Sequence, residues 1–190
     1  MSRMPSPARA VLLPILLVLL LGGVAQGADQ KASKTDAAKI ANALSAAPVA
    51  VSRNASVVEM SEDGSMKVLR TGTGPWTCVP DDPSSPGNDP MCLDPNAMEW
   101  LHAYVSKAPP PDKIGLIYML KGGWDFSNLD PYATKPDGGK ATITGPHVMI
   151  VGPGVKAVPG YDRTGAGVNA ALPYVMWKDT PYEHLMVPVR

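Results

Sequence analysis

The chain has 190 residues, with 17 basic and 17 acidic side chains, 45% hydrophobic residues and two cysteines. Its balanced charge excludes a protein whose main partner is nucleic acid or an anionic membrane surface, since both require a basic field. Eighteen glycines and 21 prolines stay below a disorder-type composition. They imply a folded chain with many turns and long ordered loops.

The N-terminus reads as a secretory leader. Arg3 and Arg9 precede an apolar run from Ala10 to Leu21, broken only by Pro14. Gly22-Gly23 and the small-x-small segment Ala25-Gln26-Gly27 follow. Basic, apolar and small segments in that order mark a signal peptide. The run is too short for a membrane span, which needs about 20 apolar residues. The expected organisation is a signal peptide over 1–27 and a single α+β domain over 28–190, with no membrane span after cleavage. Loss of two arginines takes the net charge to −2.

Ser33-Lys34-Thr35-Asp36 fits a capping box, and predicts an alanine-rich helix from Ser33 to about Ala46, stopped by Pro48. Ser56–Met60 and Met66–Arg70 predict a hairpin turning at Asp63-Gly64. Asp94-Pro95 predicts the N-cap and first position of a second helix, ending near Ser106. Lys113–Lys121 is apolar on both alternating faces and predicts a central strand buried on two sides. No period is visible from Gly122 to Gly145, a length of loop that is usually functional, disordered or misread. Strands are expected at His147–Val151, Tyr174–Lys178 and Glu183–Val189. The expected fold is α+β: about six mostly antiparallel strands with two helices on one face, joined by long Pro/Gly-rich loops.

Cys78 and Cys92 flank a segment containing Pro80, Pro83, Pro86 and Pro90. Prolines donate no backbone hydrogen bond and resist regular structure. The spacing lacks the C-x-x-C of metal or redox pairs. In an exported chain it predicts a structural disulfide closing the loop.

His147-Val148-Met149 and His184-Leu185-Met186 repeat a His-x-Met pattern. Strand alternation puts each histidine on the same face as its methionine. If the strands are neighbours, His147, Met149, His184 and Met186 could converge as imidazole and thioether ligands, a set that suits Cu(I). Ordinary packing of methionines and backbone-bonded histidines is the plainer reading. Trp124-Asp125-Phe126-Ser127-Asn128-Leu129-Asp130-Pro131-Tyr132 interleaves aromatics with acids, as a binding lip would. Candidate ligand contacts are therefore His147, His184, Trp124, Asp130, Tyr132 and Tyr182. A hydrolase would use His147 or His184 as base, with Asp125, Asp130 or Glu183 as orienting acid. Gly152-Pro153-Gly154-Val155-Lys156-Ala157 matches a dinucleotide fingerprint, but Val158-Pro159-Gly160 would break the helix it needs. Glu99-Trp100-Leu101-His102 reads as an exposed helical pair.

Four stretches resemble a set of uncharacterised exported bacterial proteins: Trp76-Thr77-Cys78 through Pro86-Gly87-Asn88-Asp89-Pro90-Met91-Cys92, Asp130–Ala133, Pro146–Ile150 and Pro181–Pro188. The resemblance implies a bacterial, periplasmic setting and carries over no functional residue. The resulting expectation is a periplasmic or secreted binding domain without catalysis, whose partner is a small molecule or an envelope protein. The alternatives are a small histidine-assisted hydrolase and a Cu(I)-binding protein. The expected pocket lies between the Gly122–Gly145 segment and the strands bearing His147 and His184.

Overall fold

The computed structural model describes residues 26–61, 64–165 and 167–189. Most of the predicted leader, residues 1–25, lies outside them, as do Glu62 and Asp63 of the predicted turn. The elements in chain order are α1 (Gln26–Leu44), α2 (Val49–Ser52), β1 (Ser56–Met60), β2 (Met66–Arg70), β3 (Thr77–Val79), β4 (Met91–Leu93), α3 (Pro95–Val105), β5 (Gly115–Met119), β6 (Gly123–Asp125), β7 (Thr142–Thr144), β8 (His147–Val151), β9 (Tyr174–Met176) and β10 (His184–Pro188). The class is α+β, as expected. The described strands number ten rather than about six: eight form one sheet in the order β2-β1-β3-β4-β5-β8-β10-β9, and β6 pairs with β7. All pairings in the eight-stranded sheet are antiparallel except β1 with β3.

The predicted hairpin forms over its predicted strands, with Ser61 N–H donating to Ser65 C=O at 2.9 Å. The second helix also starts as expected. The Asp94 carboxylate accepts from Ala97 N–H at 2.8 Å, and Pro95 occupies the first turn. The same carboxylate accepts from Leu116 N–H at 3.0 Å, so one side chain both caps α3 and ties it to β5. The N-terminal helix departs from expectation. It already runs through Ser33–Asp36, so Ser33 is not its cap.

The two long helices cover opposite faces of the sheet, not one face. Ladder registers place Val57, Cys78, Cys92 and Tyr118 on one side, where Ala43, Ala46 and Ala47 from the end of α1 pack. Leu93, Ile117, Met149, Met186 and Tyr174 stand on the other side, with Ala97, Trp100 and Leu101 of α3. A sheet with apolar residues at both parities must bury both faces. The burial of β5 is nevertheless one-sided: Gly115, Ile117 and Met119 are buried, whereas Leu116 is 36% exposed. Beyond α1, the short Pro153–Ala157 turn covers part of the outer face, with Val155 against Val175 and Leu185. That single 3-10 turn comes directly after Gly152, in place of the long helix a dinucleotide would require.

Close approach of α3 to β5 depends on Gly115. A Cβ there would lie 2.4 Å from Ala97 N and 2.7 Å from Ala97 Cα. These are backbone atoms of a capped helix and cannot rotate away. Gly115→Ala is expected to destabilise the fold by about 2–3 kcal/mol through overpacking, measured by urea denaturation. An unchanged midpoint would mean that α3 can shift to admit the added methyl at no cost.

Candidate functional site

A cavity of about 430 Å³ opens on the α3 side of the sheet. Its floor is β5, β8 and β10, carrying Ile117, Met119, His147, Met149, His184 and Met186. Trp100, Leu101 and Tyr104 of α3 form one wall. The rim comes from the segment between the cysteines, Pro80–Pro86 with Asp89 and Met91. The other side is Gly123–Ser127 with Asp130, Pro131 and Ala133.

The rim stands where it does because the disulfide forms. Cys78 and Cys92 face each other across β3 and β4 with Cα atoms 3.9 Å apart. A proline-rich segment has few backbone bonds to hold it, and side chains of its own supply the rest. Asp81 accepts from Asp89 N–H at 2.8 Å, and Ser85 Oγ donates to the Asp89 carboxylate at 3.0 Å. Asn42 of α1 reaches across to grip both limbs. Its Oδ1 accepts from Asp81 N–H at 2.8 Å and its Nδ2 donates to Asn88 Oδ1 at 2.8 Å.

The stretch from Gly122 to Gly145 is not a bare loop. β6 and β7 make a two-stranded arm, with Trp124 opposite Ile143. Past the arm, the Ser127 hydroxyl accepts from Leu129 and Asp130 N–H groups, and Ser127 C=O accepts from Trp177 Nε1 at 3.0 Å. Asn128 Nδ2 donates to Gly165 C=O at 2.8 Å. The lip is thus pinned by its own polar groups. Trp124 stands edge-on to Phe126, with centroids 4.6 Å apart.

Of the ligand-contact candidates, His147, His184, Trp124 and Asp130 line the cavity. Tyr132 and Tyr182 belong instead to the aromatic stack behind it. Tyr132 stacks on Tyr104 at 5.4 Å, and Tyr182 donates to Ala108 C=O at 2.9 Å. Lining residues that the sequence reading passed over include Trp100, Trp177, Met119 and Asp89. The His-x-Met repeat was the visible signal for Met149 and Met186 on the floor.

β8 and β10 are adjacent, and Met149 lies directly opposite Met186. His147, however, sits across from Pro188, and His184 across from Val151. Four residues of strand, about 13 Å, separate the two histidine positions along the ladder. Met149 and Met186 stand between them on the same face, so the register brings the two sulfurs together and sets the two histidine backbones at either end.

Both imidazoles are fully buried. Each uses Nδ1 on a backbone carbonyl two residues earlier: His147 on Gly145 at 2.8 Å, His184 on Tyr182 at 2.9 Å. In the tautomer that donates from Nδ1, Nε2 is left with a lone pair. Neither Nε2 has a partner among the described residues, nor does Trp100 Nε1, the indole that meets His184 edge-on. Burial lowers the pKa of His147, with the Gly145 bond opposing it. Burial likewise takes His184 down to about 4, against its bond to Tyr182 and helped by His147. Both rings are therefore neutral near pH 7.

Among the described residues no carboxylate orients either imidazole, as a hydrolase would need. Glu183, an expected orienting acid, is buried against Arg163 and accepts from Asp179 N–H at 2.7 Å. Asp130 accepts from Tyr132 N–H. Glu99 pairs with Lys113 on the surface, as its exposed reading expected.

Six acids line the cavity: Glu59, Asp81, Asp82, Asp89, Asp125 and Asp130. No lysine or arginine among the described residues does. Glu59 is paired with Lys39 at the edge. Burial, then the neighbouring Asp89, pushes Asp125 up to about 7. Burial, then Asp81, pushes Asp89 up to about 6.

These shifts set the pH dependence of stability. A carboxyl raised above its unfolded value of about 4 binds more protons folded than unfolded, so its contribution is lost as pH rises through the folded pKa. A histidine lowered below about 6.5 does the opposite, and destabilises the fold as pH falls. The two effects oppose each other from about pH 4 upward, and still do above 6.5, where Asp125 titrates in the fold and the histidines, half protonated at that pH, titrate in the unfolded chain. Between pH 6.5 and 8 the carboxyl loses, and the two histidines together gain, about 0.5–1 kcal/mol, so the stability of the parent chain is expected to change little, whereas that of Asp125→Asn is expected to rise by about 0.5–1 kcal/mol. Urea denaturation at the two pH values checks it; a variant as flat as the parent would assign the proton to another group.

Among the described residues no helix is long and apolar enough to cross a membrane. Comparison with protein-family models, curated proteins and solved structures found no match, so the cavity's own chemistry is what speaks to function.

Proposed function

We propose that this chain is a non-catalytic binding protein of the bacterial cell envelope that holds a small cation in the cavity over β5, β8 and β10. The observation that carries the reading is the lining: among the described residues six acids, no lysine or arginine, and aromatic walls from Trp100, Trp124 and Trp177. Carboxyl groups forced together in a low-dielectric site repel one another, and a bound cation relieves that repulsion. Aromatic faces add cation–π attraction. Imidazoles held by backbone carbonyls rather than by acids favour binding over hydrolysis. The disulfide supports an oxidising compartment, where such bonds persist.

Native mass spectrometry on protein drawn from its own cell envelope tests the reading, together with intrinsic fluorescence. Three of the four tryptophans line the cavity, so occupation by tetramethylammonium or by Ag(I) is expected to change emission saturably. Asp89→Asn with Asp125→Asn is expected to weaken that response at least about tenfold, the loss of two nearby charges in a partly buried site. No retained species and no response to either probe would overturn the proposal.

A further inference from the structure

We propose that the cavity floor is a Cu(I) site formed by His147 Nε2 with the thioethers of Met119 and Met149; the inference rests on the cation-binding reading above and names its ligand class. Three independent features converge on that spot. First, His147 has the arrangement of a metal-ligating imidazole. Nδ1 is engaged by Gly145 C=O, which fixes the ring, and the fully buried Nε2 has no partner among the described residues. A backbone carbonyl on the non-ligating nitrogen is the usual outer support of such a ligand.

Second, the ladder puts soft donors around it. Met119 is the direct cross-strand partner of His147, and Met149 is two residues along β8 on the same face. Cβ atoms of cross-strand partners lie about 5 Å apart, within the reach of a flexible thioether. Met186 faces Met149 from β10 as a further sulfur behind the set. Third, the backbone makes room. A Cβ on Gly123 would stand 3.1 Å from His147 Cε1 and 3.5 Å from Met119 Cε, so glycine keeps open the space beside both side chains. Neutral nitrogen and thioether donors in an acid-lined cavity suit a soft monovalent cation better than Zn²⁺, which takes thiolate, imidazole and carboxylate, or Ca²⁺, which takes oxygen. His184 starts four ladder positions from His147 and is not part of the proposed set.

The test is anaerobic competition of Cu(I) against a chromophoric chelator, without thiol reductant so that the disulfide stays formed. One ion per chain is expected, with Kd below about 1 μM. His147→Ala is expected to weaken binding at least about 100-fold, and Met119→Leu or Met149→Leu about tenfold each, the range for lost or disturbed ligation. His102→Ala, on the exposed side of α3 and outside the cavity, is expected to leave it unchanged. With Ag(I) as the redox-inert probe, the ε-methyl NMR signals of Met119 and Met149 are expected to shift together. The two leucine variants preserve core volume, which keeps the test open even if His147→Ala fails to fold. Binding weaker than micromolar, or binding indifferent to both leucine variants, overturns the inference. If tetramethylammonium occupies the cavity and Cu(I) does not, the copper site falls while the cation reading stands; if neither binds, both fall.

Discussion

Replacing Cys78 and Cys92 together by serine is expected to lower the unfolding free energy by about 2–5 kcal/mol, the usual loss for a native disulfide in a small domain. The loop-closure part alone, for a sequence separation of 14, amounts to about 3 kcal/mol in the chain-entropy account. The remainder reflects the place of the sulfurs, fully buried beneath Ala43 and Ala46. A hydroxyl there would need a partner, and the nearby acceptor, Ala43 C=O, stands 3.6 Å from Cys92 Sγ. The effect should reach the cavity, because Pro80–Pro86 and Asp89 form its rim. Urea denaturation of the double variant gives the stability, and ligand-induced tryptophan emission gives the rim. Full stability with full ligand response would show that Asn42 and the loop's own hydrogen bonds suffice.

Glu183→Ala is expected to cost about 3 kcal/mol, at the lower end of the range for breaking a buried ion pair, because Arg163 keeps partial access to water. The carboxylate is almost fully buried and does two jobs. One oxygen meets Arg163, and the other accepts from Asp179 N–H. That second bond steadies a turn in which Trp177 and Asp179 both adopt positive φ, 54° and 64°, a conformation that strains side chains other than glycine. Trp177 stands edge-on to His184 at 4.8 Å and lines the cavity. Glu183→Gln keeps an acceptor for Asp179 but loses the charge, and should cost about 1–2 kcal/mol. Calorimetry on both variants distinguishes them; equal losses would mean that the ion pair, not the turn, carries the whole effect. Glu183 thus acts on the cavity by holding its tryptophan wall, not by orienting a histidine.

Local signals in the sequence anticipated local structure. Asp94-Pro95 predicts a cap because the carboxylate and the N–H it satisfies are three residues apart, and proline at N1 wastes no donor. The hairpin strands were legible because a short turn and alternating residues set their register. Ser33–Asp36 misled for the same reason: a capping box is also compatible with the interior of a longer helix, and only the flanking chain decides.

The positions of the candidate residues were legible in part. His147, His184, Trp124 and Asp130 were all singled out and all line one cavity. Their neighbours Met119, Trp100 and Asp89 were not, because each lies on an element distant in the chain. Nothing local in Lys113–Lys121 tells that Met119 will stand beside His147, since that pairing depends on β5 and β8 meeting in register.

By itself, the sequence determined what period, turn chemistry and cysteine spacing can encode: the α+β class, the clip, the capped helix and the parity that puts each histidine beside its methionine. Strand order and register were decided only by the tertiary structure. They set α1 and α3 on opposite faces, placed the two histidine backbones at opposite ends of the ladder, and drew six acids from across the chain around one cavity. The physical reason is that side-chain parity is a property of one strand, whereas neighbourhood between strands depends on burying both faces of the whole sheet at once.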